Sequence, residues 1–197
     1  DAKINLPQNY KNVKNIVLCG MGGSALGAHI LKALNLSLVP FCFYNGYLPP
    51  RYVGENTLFI ASSYSGGTEE VLSSLDEALK RKAKIVGLAV GGVLIDVLKK
   101  KNLPYIQFDD QFNPSSQPRY GLGYALGGLL NILIKMGLVE YKMEYAKNIV
   151  FNLEEPPIEA ASKLAQELDG FAPIVVAGDF LTGNAHVLVN QINETCK

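Results

Sequence analysis

The sequence predicts a doubly wound α/β fold, a parallel five-stranded sheet flanked by helices on both faces. Three observations predict it. Apolar runs at residues 15–19, 57–61 and 84–90 are continuous rather than alternating, as expected of strands covered on both sides. Each gives way to a glycine-bearing turn and then to apolar residues at helical spacing. Strand and helix then alternate at an interval that suits right-handed crossovers.

Asn15-Ile16-Val17-Leu18-Cys19 is the first strand. It runs into Gly20-Met21-Gly22-Gly23-Ser24 and a helix carrying Leu26, Ile30, Leu31 and Leu34. Leu38 to Tyr44 is a second strand, closed by Asn45-Gly46. Thr57 to Ala61 is the third. It enters the turn Ser62 to Glu70, and Val71, Leu72, Leu75 and Leu79 mark the apolar face of the next helix. Lys84 to Val90 is the fourth strand, followed by Gly91-Gly92 and the helix of Leu94, Ile95, Val97 and Leu98. Pro104 to Phe108 is the fifth. A loop over 111–118 leads to Arg119, an apolar helix over Leu122 to Leu138 and a polar-faced helix over Tyr141 to Asn152.

The proline pair of Glu154-Glu155-Pro156-Pro157 reads as a linker. Beyond it, Ile158 to Leu168 is helical, Pro173 to Ala177 a strand, and Thr182 to Cys196 a helix. One βα unit cannot make a sheet of its own. Residues 1–153 are therefore expected to form one domain and 154–197 the incomplete beginning of a second α/β domain. The chain starts at Asp1 and stops at Lys197 inside a helical pattern, so it is expected to be part of a longer protein.

Composition narrows the function. The 197 residues are 48% hydrophobic, 18% charged and formally neutral, which gives no compositional argument for nucleic acid or an anionic membrane surface. The apolar runs are too short and interrupted for a spanning helix, and Asp1 to Ile4 carries no signal-peptide pattern. Cys19, Cys42 and Cys196 are widely spaced and read as reduced thiols, with neither a disulfide framework nor a zinc site. A cytoplasmic protein without cofactor or metal is expected.

The most informative stretch is Ser62-Ser63-Tyr64-Ser65-Gly66-Gly67-Thr68-Glu69-Glu70, between a strand end and a helix start. Free N–H groups and partial positive charge at a helix start attract an anion. Gly66 and Gly67 let the backbone approach it, and Ser63, Ser65 and Thr68 can donate hydroxyl hydrogen bonds. No lysine stands in the turn, so a compact phosphate monoester fits better than a nucleoside triphosphate. An ordinary strand-to-helix turn would use the same residue types for conformational reasons.

Gly20-Met21-Gly22-Gly23-Ser24-Ala25 matches a dinucleotide fingerprint, but the second strand ends in Asn45-Gly46 without the acidic residue that a ribose needs. Both glycine–hydroxyl turns follow strands, and ligands of open α/β sheets collect where strand order reverses. One small anion site built from both turns is the better reading. Arg119 is either a helix-end charge or a guanidinium aimed at charge developing on substrate oxygens. Glu194 lies in a run of amides, Asn190-Gln191-Ile192-Asn193, unusual for a plain solvent face. His29 and His186 are each alone on a helix and lack metal-ligand spacing, and Asp109-Asp110 reads as a loop cap.

Gly20-Met21-Gly22-Gly23-Ser24, Ser63 to Glu70, Pro118-Arg119 and Asn190 to Lys197 occur in that order. Together they resemble sugar isomerase (SIS) domain proteins, most closely the bifunctional phosphoglucose/phosphomannose isomerases of archaea and bacteria. The resemblance implies two SIS (flavodoxin-like) domains, a homodimer and a sugar 6-phosphate substrate. It implies that Ser24, Ser63, Ser65 and Thr68 bind the phosphate, helped by Gly22, Gly23 and the Gly67 backbone. It further implies that Arg119 steadies an enediolate and that Glu194 moves a proton between C1 and C2. A carboxylate can do this without a metal when the oxyanion is stabilised and water is excluded.

Three departures accompany the resemblance. Gly67 stands where the family commonly has asparagine, Cys196 replaces a small residue, and the family's ring-opening histidine and C-terminal lysine would lie beyond Lys197. The histidine comes across the dimer, so this chain alone is expected to be a poor catalyst. Two alternatives stay open: a non-catalytic sugar-phosphate sensor and an amino-sugar phosphate isomerase.

Overall fold

A computed structural model describes residues 4–140 and 157–195. Five strands, β1 (Asn15–Gly20), β2 (Phe41–Tyr44), β3 (Thr57–Ser62), β4 (Lys84–Ala89) and β5 (Tyr105–Gln107), form one sheet in the order β2-β1-β3-β4-β5. Every pairing is parallel, with Val17 between Cys42 and Phe59 across the three strands that start the sheet. The chain moves outward one way from β1 to β2 and the other way from β3 to β5. The carboxyl ends of β1 and β3 therefore flank the point where strand order reverses.

Alternation along the strands explains the continuous apolar runs. Ile16, Leu18, Leu58, Ile60, Val86 and Leu88 face one layer, where Leu129, Ile132 and Leu133 of α4 (Leu122–Lys135) and Ala28 and Leu31 of α1 (Leu26–Ala33) cover them. Val17, Cys19, Phe59, Ala61 and Ile85 face the other. There Val71, Leu75 and Ala78 of α2 (Glu69–Lys80) and Leu94, Ile95 and Leu98 of α3 (Gly92–Lys100) complete the core. Each large apolar side chain closed off this way contributes roughly 1.5–3 kcal/mol before entropy is subtracted.

The elements depart from the sequence pattern at their ends. β2 begins only at Phe41, because Pro40 has no N–H to offer a ladder; its carbonyl accepts from the Ile16 N–H at 2.9 Å. Ser37 instead bridges Val139 in antiparallel sense. The apolar helix expected through Leu138 stops at Lys135, where Gly137 adopts φ 67° and ends it. The helix expected over Tyr141 to Asn152, and the linker up to Pro156, lie outside the described residues.

The strand expected over Pro173 to Ala177 is not formed. Among the described residues no strand lies beside it, and Ile174 and Val176 are each 90% exposed. An apolar period-2 run specifies a strand only where another backbone can pair with it. The helix α5 (Ile158–Leu168) has no buried residue, whereas α6 (Thr182–Thr195) packs on α1 through Gly183 and Val187. Among the described residues no helix is long and apolar enough to cross a membrane.

Candidate active site

The two glycine–hydroxyl turns interlock at the strand-order reversal. The Ser62 hydroxyl donates to the Ser24 carbonyl at 2.8 Å, and the Tyr64 N–H donates to Ser24 Oγ, also at 2.8 Å. Ser63 is 1% exposed. Its Oγ accepts from the Gly66 N–H at 3.1 Å and shares a hydrogen bond with Thr68 Oγ1 at 2.8 Å. Thr68 is the N-cap residue of α2. Ser65 and Gly67 form the exposed lip of the turn, where Ser65 Oγ accepts from the Gly67 N–H at 3.3 Å.

Backbone closeness sets the shape. Gly66 adopts φ 73°, and a Cβ there would overlap the Gly91 carbonyl oxygen, so the turn is backed against the start of α3. Gly23 is buried against the next segment: a Cβ would stand 2.5 Å from the Arg119 backbone nitrogen. Gly22 and Gly67 remain exposed beside Ser24 and Ser65. The result is a shallow cup of hydroxyls and amides at the start of α2, suited to hydrogen-bond a small oxyanion.

Arg119 lies in the short 3-10 turn Pro118–Tyr120, just ahead of α4 rather than within its first turn. It meets Glu194, 75 residues away: Nη1 stands 3.2 Å from Glu194 Oε2 and 3.1 Å from Gln117 Oε1. The Arg119 side chain is 17% exposed and that of Glu194 41%. Asn190 Nδ2 donates to Glu194 Oε1 at 3.0 Å, and Gln191 Nε2 donates to the Arg119 carbonyl at 3.1 Å. Tyr120 OH and Thr195 Oγ1 add a 3.0 Å hydrogen bond. The structure thus brings Glu194 to the side chain of Arg119, whose backbone packs against Gly23 at one edge of the cup.

Tyr64 and Asn113, absent from the sequence-derived candidates, tie this edge to the turn. The buried Asn113 Nδ2 donates to Tyr64 OH at 2.7 Å and to the Gln117 carbonyl at 2.9 Å. Burial pushes the Tyr64 phenol up, so it stays a neutral acceptor at ordinary pH. Asparagine in a polar loop gives no hint of a partner 49 residues earlier. The only signal was Tyr64 itself, an aromatic inside a serine–glycine turn.

The other candidates serve the scaffold. Asp109 Oδ1 accepts from the Gln111 N–H and Asp110 Oδ2 from the Ser116 hydroxyl, which closes the loop. His29 and His186 stack face to face at 3.8 Å between α1 and α6. Burial, then the neighbouring His186 and Lys32, push the His29 imidazole down to about 4. Among the described residues no group of three or more acidic, histidine or cysteine side chains could hold a metal. Cys19 and Cys42 are free thiols, and Cys196 and Lys197 lie outside the described residues.

No protein-family model matches the chain. It is similar to a bifunctional phosphoglucose/phosphomannose isomerase of Caldicellulosiruptor bescii, 35% identical over 175 residues, 83% of this chain and 50% of that protein. The Aquifex aeolicus protein of the same name is 33% identical over 188 residues, 93% of this chain and 56% of its own. A D-glucosamine-6-phosphate 4-epimerase of Sulfolobus acidocaldarius is 26% identical over 95% of this chain and 59% of its own length. In fold, the chain is similar to the tagatose-6-phosphate ketose/aldose isomerase of Escherichia coli, with a TM-score of 0.56 and 12% identity over 93% of this chain and 53% of that one. The chain spans about half the length of the curated relatives it matches. Over about half of their length this chain is similar in sequence to bifunctional phosphoglucose/phosphomannose isomerases, and its fold is similar to that of a ketose/aldose isomerase.

Proposed function

We propose that a full-length protein carrying this chain interconverts glucose 6-phosphate or mannose 6-phosphate with fructose 6-phosphate through an enediolate. The observation that carries the reading is the Arg119–Glu194 pair, 3.2 Å apart, with Gly23, the neighbour of Ser24, packed against the Arg119 backbone. In this reading Ser24, Ser63, Ser65 and Thr68 hold the phosphate with the amides of Gly22, Gly23 and Gly67. The Glu194 carboxylate takes the C2 proton of the open-chain aldose and returns it to C1. The Arg119 guanidinium stabilises the oxyanion that forms between the two steps. The Ser63–Thr68 hydrogen bond then opens toward substrate, since each hydroxyl can redirect its proton.

The homodimer, the cytoplasmic location and a second domain starting at 154 belong to the same proposal. A dimer would supply the ring-opening histidine that the resemblance puts beyond Lys197.

A coupled assay on the full-length protein, with fructose 6-phosphate and with Glu194→Gln beside wild type, tests the reading. Turnover by wild type and a loss of at least about 100-fold in the variant are expected for removal of a general base. Equal turnover by the variant would overturn the base assignment. Sugar phosphate bound without turnover by wild type would favour a sensor. The epimerase relative makes glucosamine 6-phosphate the competing substrate to include.

A further inference from the structure

We infer that Asn190 is a positioning residue for Glu194, holding one carboxylate oxygen so that the other faces Arg119. The inference rests on the base reading given above. Asn190 and Glu194 are one helical turn apart on α6, so their side chains share a face. The amide Nδ2 donates to Oε1 at 3.0 Å while Oε2 lies 3.2 Å from the Arg119 guanidinium. The two oxygens are thus held by different partners, and rotation of the carboxylate about its last bond would break both contacts.

The orientation of the amide is fixed by this contact. Asn190 Oδ1 is buried with no partner among the described residues. Turning the amide over would give that oxygen a new environment only by pointing it at the carboxylate, where two acceptors repel. The next residue, Gln191, donates to the Arg119 carbonyl at 3.1 Å and fixes the helix against the Arg119 turn. Asn190 aims the carboxylate and Gln191 sets its distance from the guanidinium. Among the described residues, Arg119 is the charged group in contact with Glu194.

This accounts for Asn190 and Gln191 within the run of amides before Glu194. A hydrogen-bond donor favours the charged form of a carboxylate, and an added negative charge disfavours it. Asn190→Ala removes the donor. Asn190→Asp keeps the shape but sets a second carboxylate against the first.

The test is the pH profile of kcat/KM for fructose 6-phosphate in the full-length protein, for wild type, Asn190→Ala, Asn190→Asp and Glu194→Gln. The acid limb should move to higher pH in Asn190→Ala and further in Asn190→Asp, with kcat down roughly 10-fold and KM within about twofold. Loss of activity in Glu194→Gln with an unmoved acid limb in both Asn190 variants would overturn the assignment and leave the base in place. Full activity in Glu194→Gln would overturn both. An Asn190→Ala variant that loses kcat and thermal midpoint together, with its limb unmoved, marks a structural residue and overturns the proposal.

Discussion

The Ser62–Thr68 turn and the Asn190–Thr195 end of α6 are built differently. The hydroxyl network of the turn is sequence-local: Ser63, Gly66 and Thr68 bond to one another within six residues, and Ser63 at its base is buried. The helix end is held from afar, by Arg119, Tyr120 and the Arg119 carbonyl, all more than 70 residues away and partly exposed. The part suited to hold an anion is thus set by the sheet. The helix end that carries Glu194 is held by a few partly exposed hydrogen bonds to the Arg119 turn.

Gly66→Ala should break the rigid side of this comparison and has the largest expected effect. The new Cβ would overlap the Gly91 carbonyl, and the backbone at φ 73° disfavours any L side chain. A destabilisation of about 3 kcal/mol or more is expected, read as a lower urea midpoint with unchanged slope. A loss below about 1 kcal/mol would mean that the turn and the start of α3 part easily, and the contrast between the two regions would collapse.

That same difference decides what could be read in the sequence. Gly66 and Ser63 were legible because strand, turn and helix follow one another in the chain, so period and glycine content report them directly. The five strands and their parallel sense were legible for the same reason. Tyr64–Asn113 and Gln191–Arg119 were not, because hydrogen bonds across 49 and 72 residues leave no periodic trace. Arg119 and Glu194 each stood out locally, one after a proline ahead of an apolar helix and the other in a run of amides, but their pairing across 75 residues did not. The Pro173–Ala177 strand failed in the opposite way: its local pattern is strand-like, but pairing is a tertiary property, and Ile174 and Val176 find none among the described residues.

The looser side should respond to pH where the turn does not. His29 of α1 stacks on His186 of α6, with Lys32 on its own helix and Asp179 lining the same cleft. Its imidazole is pushed down to about 4 from an ordinary value of 6.5, first by burial. The unfolded chain therefore takes up the proton more readily than the folded one, and stability is lost as pH falls from about 6.5 toward 4. Because the ring is only half-buried, solvent screening limits this to on the order of 1 kcal/mol. Hydrogen exchange should show α6 losing protection at pH 5 relative to pH 7 while β3 and the Ser63 turn keep theirs. His29→Phe, which retains a stacking ring without a titrating group, should abolish the difference; persistence of it would place the sensitive group elsewhere.

Gly67→Asn should sharpen the comparison with the smallest effect. Gly67 carries no positive φ, and a Cβ there first meets Ser65 Oγ at 3.9 Å, an ordinary contact. The lip of the turn is therefore open where Gly66, one residue earlier, is closed. Stability should change by less than about 0.5 kcal/mol, as at other open surface positions. The amide adds a donor beside Ser65 and Thr68, and one further hydrogen bond to a phosphate oxygen should lower KM for fructose 6-phosphate by about threefold with kcat unchanged. An unchanged KM with an unchanged thermal midpoint would mean that residue 67 faces away from the bound phosphate. The anion would then rest on Ser24 and the backbone of the first turn, moving the centre of the cup toward Gly22.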